Sequence, residues 1–169
     1  MNAKELLNDI NPVVEIDVTN FGKIEVQLFP SVAPITVENF LNLVNEKFYD
    51  GIIFHRIIEG FMIQGGDPKG LGIGGSNKKI KGEFSSNGVK NDLKHTKGVI
   101  SMARAMDPNS ASSQFFIMHE DAPHLDGSYA AFGVVTKGIE VVDKIATTKT
   151  DYNDRPLTKV VMESIRRVR

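Results

Sequence analysis

The sequence predicts a mainly β protein, an antiparallel sandwich or barrel that carries two helices. Three observations predict it. Short apolar runs with period-two alternation recur along the chain. Turns rich in Gly and Pro separate them, and only two segments show a helical stripe. Nothing resembles the alternating strand–helix order of a parallel sheet.

The chain opens with residues 1–12, read as an N-terminal extension to a single domain over 13–169. Leu6, Leu7 and Ile10 would share the face of one turn, which Pro12 ends. Val13 to Thr19 then alternates, with Val14, Ile16 and Val18 on one face. Lys23 to Phe29 does the same with Ile24, Val26 and Leu28. Asn20-Phe21-Gly22 joins them at hairpin length. Pro30 stops the second strand, and Pro34 suits a first helical turn. Val37, Phe40, Leu41 and Val44 recur at helical spacing opposite Glu38, Asn42, Asn45 and Glu46. Two short strands are expected within Phe54–Pro68, punctuated by Gly60 and Gly65-Gly66. Residues 69–98 read as loop. Strands follow at Val99–Ala103, Gln114–Met118 and Ala130–Val135, with a compact turn at Pro123–Gly127. Ile139, Val142 and Ile145 mark the second helix, and Lys159 to Val168 the last strand.

Composition narrows the function. The 169 residues suit one domain with a sizeable core, and 41% apolar with 24% charged residues is ordinary for a globular chain. A net charge of -1 argues against general nucleic-acid binding. Without cysteine there is no disulfide, thiolate chemistry or thiolate metal site. No run approaches the ~20 apolar residues of a spanning helix, and the first ten residues lack a leader's apolar stretch. A monomer, cytoplasmic and away from membranes, is the expectation. The four histidines show no ligand spacing, so no metal or other cofactor is expected.

Gly70-Leu-Gly72-Ile-Gly74-Gly75 matches a dinucleotide-binding pattern. That pattern needs a strand before it and a helix opening from it. Asp67-Pro68 precedes it and no helical stripe follows, so the match is set aside as a surface loop.

The stretch from Phe54 to Pro68 is chemically the most telling. His55, Arg56 and Gln64 lie in an otherwise apolar segment. A buried arginine must be paired, or must face a cleft where a ligand supplies acceptors. With Phe61 and Met62 near by, the segment reads as the floor of a site for a small apolar ligand bearing a carbonyl. His55 itself is read as a satisfied, partly buried histidine.

At this level the sequence resembles the cyclophilins, peptidyl-prolyl cis–trans isomerases, and looks closest to the prokaryotic type. Phe54-His55-Arg56-Ile57-Ile58, Gly60-Phe61-Met62 and Gln64-Gly65-Gly66-Asp67 carry the resemblance. So do Lys94-His95-Thr96, Ser101-Met102-Ala103, Ser113-Gln114-Phe115-Phe116-Ile117, Leu125-Asp126-Gly127 and Phe132-Gly133. Order and spacing agree from about residue 13 onward. The resemblance implies a closed eight-stranded antiparallel β-barrel capped by two α-helices. It implies that Arg56 is the catalytic arginine and that Phe61, Met62, Phe116 and Leu125 wall a proline pocket. Gln64 and Gln114 would hold the substrate backbone and orient the arginine, with Ala103 at the rim. His124 stands where well-known eukaryotic members carry Trp, and Tyr129 where they carry a pocket-edge His. Arg104 replaces an Asn whose backbone carries its role, so little loss is expected there. The implied partners are proline-containing peptides and folding chains. Cyclosporin is a further implied ligand, weakened by His124.

Such chemistry needs neither nucleophile nor metal. Twisting an X-Pro amide breaks resonance, and a fixed cationic donor favours the twisted form. Two other classes compete. One is a module that binds X-Pro segments without turnover; the other is the dinucleotide enzyme already disfavoured.

Overall fold

Val13–Val18 (β1) and Gly22–Leu28 (β2) form the expected hairpin, with Val14 opposite Val26 and Ile16 opposite Ile24. The computed structural model describes residues 1–169. Pro34–Asn45 (α1) follows, then Phe54–Ile58 (β3) and Met62–Gly65 (β4). Val99–Met102 (β5), Phe115–Met118 (β6) and Ala131–Lys137 (β7) lead to Ile139–Ala146 (α2) and Met162–Arg167 (β8). All ladders are antiparallel, in the order β3-β4-β6-β5-β7-β2-β1-β8. The eight strands and two helices match expectation.

The sheet curls, but its two edges share no ladder. They meet through an isolated Ile53–Val161 bridge, with Phe54 N–H donating to Val160 at 2.9 Å and Met162 N–H to Ile52 at 2.9 Å. The barrel is therefore less continuously closed than predicted. A full ladder would need β3 to begin earlier, and the chain is still turning there: Gly51 has φ +81°.

Alternation assigns the two faces of the sheet. Ile57, Ile63, Ile117 and Ile100 lie opposite one another across four strands and point into the barrel. Phe40, Tyr49, Phe54, Phe115 and Phe132 fill the rest of the interior, several edge to face. Burial pushes the Tyr49 phenol far up, and its hydroxyl donates to Ser113 O at 2.8 Å. A second apolar cluster, including Met62, Phe116, Met118 and Leu125, covers the outside of the same strands.

Helix α1 starts at Pro34 without a capping side chain from Ala33. Glu83 supplies the cap from a distant loop, accepting from Thr36 N–H and Oγ1 at 2.7 Å each; an anion suits a helix N-terminus. Its buried face includes Leu43, while Leu41 is only partly covered, a small rotation of the predicted stripe. The N-terminal turn differs more. It is a 3-10 turn over Ala3–Leu6 that buries Ala3, while Leu7 and Ile10 are exposed. Backbone bonds decide this: the Met1 amino group reaches Asp92 O, and Arg169 reaches the carbonyls of Asn8 and Asn11.

The glycine-rich run is a cradle for an internal anion. The Asp67 carboxylate accepts from the amides of Lys69, Leu71, Gly72, Ile73 and Gly74 at 2.7–3.1 Å. A Cβ on Gly74 would collide with Asp67 Oδ1, so that position must be glycine. Burial alone would raise the Asp67 carboxyl, but its backbone donors outweigh burial and hold it below the usual range.

Asp67→Asn is expected to cost about 2–4 kcal/mol at neutral pH, because a neutral oxygen replaces a carboxylate serving several amides. Urea unfolding measures it. The carboxylate's contribution is present above the ordinary Asp range and is lost as pH falls through its depressed value. The stability gap between wild type and variant should therefore close on acidification.

Candidate active site

The site is built from a parity change in β3. Phe54 pairs with Gly65 and Arg56 pairs with Gln64, so His55 is an unpaired extra residue. The bulge leaves Phe54 in the core and turns Arg56 to the outer face. Gln64, Phe116 and Ser101 continue that outward row across β4, β6 and β5.

Arg56, Phe61, Met62, Gln64, Ala103, Arg104, Phe116, Leu125 and Tyr129 surround a cavity of about 140 Å³. That is the liquid volume of about five waters, the scale of a five-membered ring. Its floor is apolar: Met62, Phe116 and Leu125 are buried. Arg56 is exposed at the edge. Gly60, at φ +79°, makes the tight turn that delivers Phe61 to the wall. His124 lies behind that wall, its ring 5.7 Å from that of Phe61. Tyr129 meets Phe116 edge-on at 5.8 Å.

A line of amides orients the arginine. Arg56 Nη1 donates to Gln64 Oε1 at 3.3 Å. Gln64 Nε2 donates to Gln114 Oε1 at 3.0 Å, and Gln114 Nε2 to Gly74 O at 2.8 Å. The line ends on the loop that Asp67 organises. Gln114 thus lines a neighbouring cavity of about 390 Å³, with Gly72, Ile73 and Ser110.

The family model for cyclophilin type peptidyl-prolyl cis-trans isomerases matches residues 13–167. The chain belongs to the cyclophilin-type peptidyl-prolyl cis–trans isomerases. It is 45% identical over 148 residues to the peptidyl-prolyl cis-trans isomerase CYP18-1 of Arabidopsis thaliana, covering 87% of this chain and 91% of that one. It is 46% identical over 140 residues to ppi1 of Schizosaccharomyces pombe, covering 82% and 88%. A crystal structure of a Cryptosporidium parvum cyclophilin superposes with a TM-score of 0.86 at 33% identity, covering 94% of this chain and 98% of that one. Another, obtained in the presence of the dipeptide Ala-Pro, gives 0.85 at 34% identity, covering 93% and 99%.

In this cyclophilin the predicted site residues converge, with two of them outside the small cavity: Gln114 in the next one and His124 behind Phe61. Arg104 does more than its backbone was expected to do. Its guanidinium lies between the rings of Phe84 (4.9 Å) and Tyr129 (4.7 Å) and donates to Ser128 O at 2.8 Å. The side chain therefore fixes Tyr129 and forms wall between the two cavities. His55 also departs from expectation. It is buried, and its Nδ1 meets no protein partner.

Sequence reasoning assigned no role to His95, Ser101 and Asp126, although all three lie within the resembling segments. His95 stacks on Phe116 at 6.0 Å, the face opposite the cavity wall being its support. Its Nδ1 is 3.0 Å from Asp126 Oδ1 and its Nε2 2.9 Å from Ser101 Oγ. A carboxylate only accepts, so Nδ1 carries the proton and Nε2 accepts from the serine. The order Ser–His–Asp is that of a hydrolase triad, but His95 is 1% exposed and Ser101 0%, so no carbonyl can reach the hydroxyl. The array is a prop for Phe116 and, through Asp126, for the neighbouring Leu125.

Burial is the main cause holding both His95 and His55 below the ordinary histidine value; Asp126 pulls His95 the other way. Below about pH 6.5 the unfolded chain binds protons that the folded chain refuses. Stability is therefore expected to fall as pH drops from about 7 to about 5, and His95→Gln should flatten that slope. Urea midpoints across this range check it.

Proposed function

We propose that Arg56 stabilises the twisted X-Pro amide while the cavity beside it grips the prolyl ring. The planar amide resists rotation by about 18–20 kcal/mol, and twisting leaves a basic prolyl nitrogen. Arg56 presents a permanently charged, planar fork. Only one of its nitrogens is engaged by the protein, with Gln64, which leaves donors for substrate. This arrangement, a half-tethered guanidinium at the lip of an apolar ring-sized cavity, carries the reading. A charge-assisted hydrogen bond to the twisted form is worth roughly 1.5–3 kcal/mol, about ten- to a hundredfold in rate. Ring capture by Phe61, Met62, Phe116 and Leu125 supplies orientation and excludes water. Gln64 and Gln114 hold the flanking backbone, and Ala103 and Arg104 shape the rim.

The substrates are proline-containing peptides and chains that are folding. The Ala-Pro dipeptide present with the Cryptosporidium parvum protein supports that class. Arg56→Ala is expected to lower kcat/KM on an Ala-Pro peptide by tenfold or more, read in a protease-coupled or NMR exchange assay. Peptide binding with slow turnover in wild type and variant alike would instead make this a proline-peptide binding module.

Cyclosporin is a weak ligand in this reading. At the position of His124 the imidazole gives less apolar area than an indole and sits against Phe61. His124→Trp should tighten cyclosporin binding about tenfold or more, measured by calorimetry.

A further inference from the structure

Phe61 owes its place to a residue outside the cavity. Its carbonyl accepts from His119 N–H at 2.9 Å and Glu120 N–H at 3.4 Å, and its own N–H donates to Ile58 O at 3.0 Å. The preceding Gly60 N–H donates to His119 Nδ1 at 2.8 Å. The turn that presents Phe61 is thus fastened from two directions by the residue directly after β6. The far nitrogen of the same ring, Nε2, lies 3.2 Å from Asp143 Oδ1 on α2. Asp143 is held in turn by Lys97 Nζ at 2.9 Å, which also sits 3.6 Å from Glu120.

One tautomer satisfies both contacts. Nδ1 must be bare to accept from Gly60, so the proton is on Nε2 and points at the carboxylate. Asp143 selects that tautomer, as a carboxylate commonly does for a working imidazole. The ring is buried between β6, the β3–β4 turn and α2. A displaced turn would open the cavity wall, because Phe61 is a partly buried ring packed on the outer apolar cluster and against the His124 ring, and its backbone is fixed by this turn.

We propose that His119 is a positioning residue for this isomerase: its imidazole, locked by Asp143 of α2, holds the Gly60–Phe61 turn and so sets the grip on the prolyl ring. The proposal rests on the reading of Phe61 as a cavity wall. Loss of one such bond is worth about three- to tenfold in affinity. It acts on substrate and transition state alike, so it belongs in KM rather than kcat.

The test measures kcat and KM on an Ala-Pro peptide for His119→Ala, His119→Gln, Phe61→Ala, the double variant Phe61→Ala/His119→Ala, and Arg56→Ala, with melting curves for each. Glutamine offers both an acceptor and a donor, so His119→Gln should stay close to wild type. His119→Ala should raise KM about three- to tenfold with kcat nearly unchanged. In the Phe61→Ala background the His119 substitution should add nothing. A His119→Ala enzyme with wild-type KM overturns the proposal. So does a glutamine variant as impaired as alanine, or an effect that survives intact without Phe61. If His119→Ala fails to fold, Asp143→Ala decides: KM must rise, and an unchanged KM overturns the proposal. The underlying site reading fails separately, by Arg56→Ala retaining full activity.

Discussion

One unpaired residue in β3, His55, decides which way the arginine points. Side chains alternate along a strand, so each inserted residue exchanges the two faces of the strand beyond it. With the insertion, Phe54 and Ile57 both enter the barrel and Arg56 leaves it. Were His55 instead paired in regular alternation, a guanidinium would be driven into a lumen packed with aromatic rings. The cost of an unpaired buried charge there is several kcal/mol. The same row then carries Gln64 and Phe116 outward, while Ile63 and Ile117 stay in. Core and site are two faces of the same short strands.

The arginine's orientation depends on a chain of single contacts that starts far from it in sequence. Asp67 gathers five amides and so fixes the loop at residues 69–74. That loop offers the Gly74 carbonyl to Gln114, Gln114 turns its oxygen to Gln64, and Gln64 turns its own to Arg56. Each amide has two orientations, and each partner removes one. A similar economy governs Phe116, whose back rests on His95, itself held by Asp126 and Ser101.

Much of this was legible in the sequence. Period-two runs such as Val14-Ile16-Val18 located strands because one face of each is buried. Ile139, Val142 and Ile145 located α2 for the equivalent reason at helical spacing. The pocket residues came from resemblance: no periodicity distinguishes Phe116, which lines the cavity, from Phe115, which fills the core. Contacts between residues far apart in sequence escaped. Nothing local links His119 to Gly60 or His95 to Asp126. The stacking of Arg104 between Phe84 and Tyr129 joins three separate loops. At the N-terminus, Leu7 and Ile10 looked like an apolar face, but Ala3 is buried because Met1 and Arg169 fix the backbone around it. The glycine run, set aside as a nucleotide site, is the surface loop expected of it. It does surround an anion, as its pattern suggested, and the anion is the protein's own carboxylate.

The cavity beside Arg56 lies on the outer wall of the barrel, and the lumen behind it is filled. An enzyme with an internal site must take in a free end or a detached small molecule. An open groove across a wall has no such requirement, because a polymer can lie over it lengthwise, touch down at one ring and continue in both directions. Chain length therefore sets no upper limit on what this surface can serve. A proline in the middle of a long polypeptide is as approachable as one near its tip, provided the local backbone can be pulled away from its surroundings.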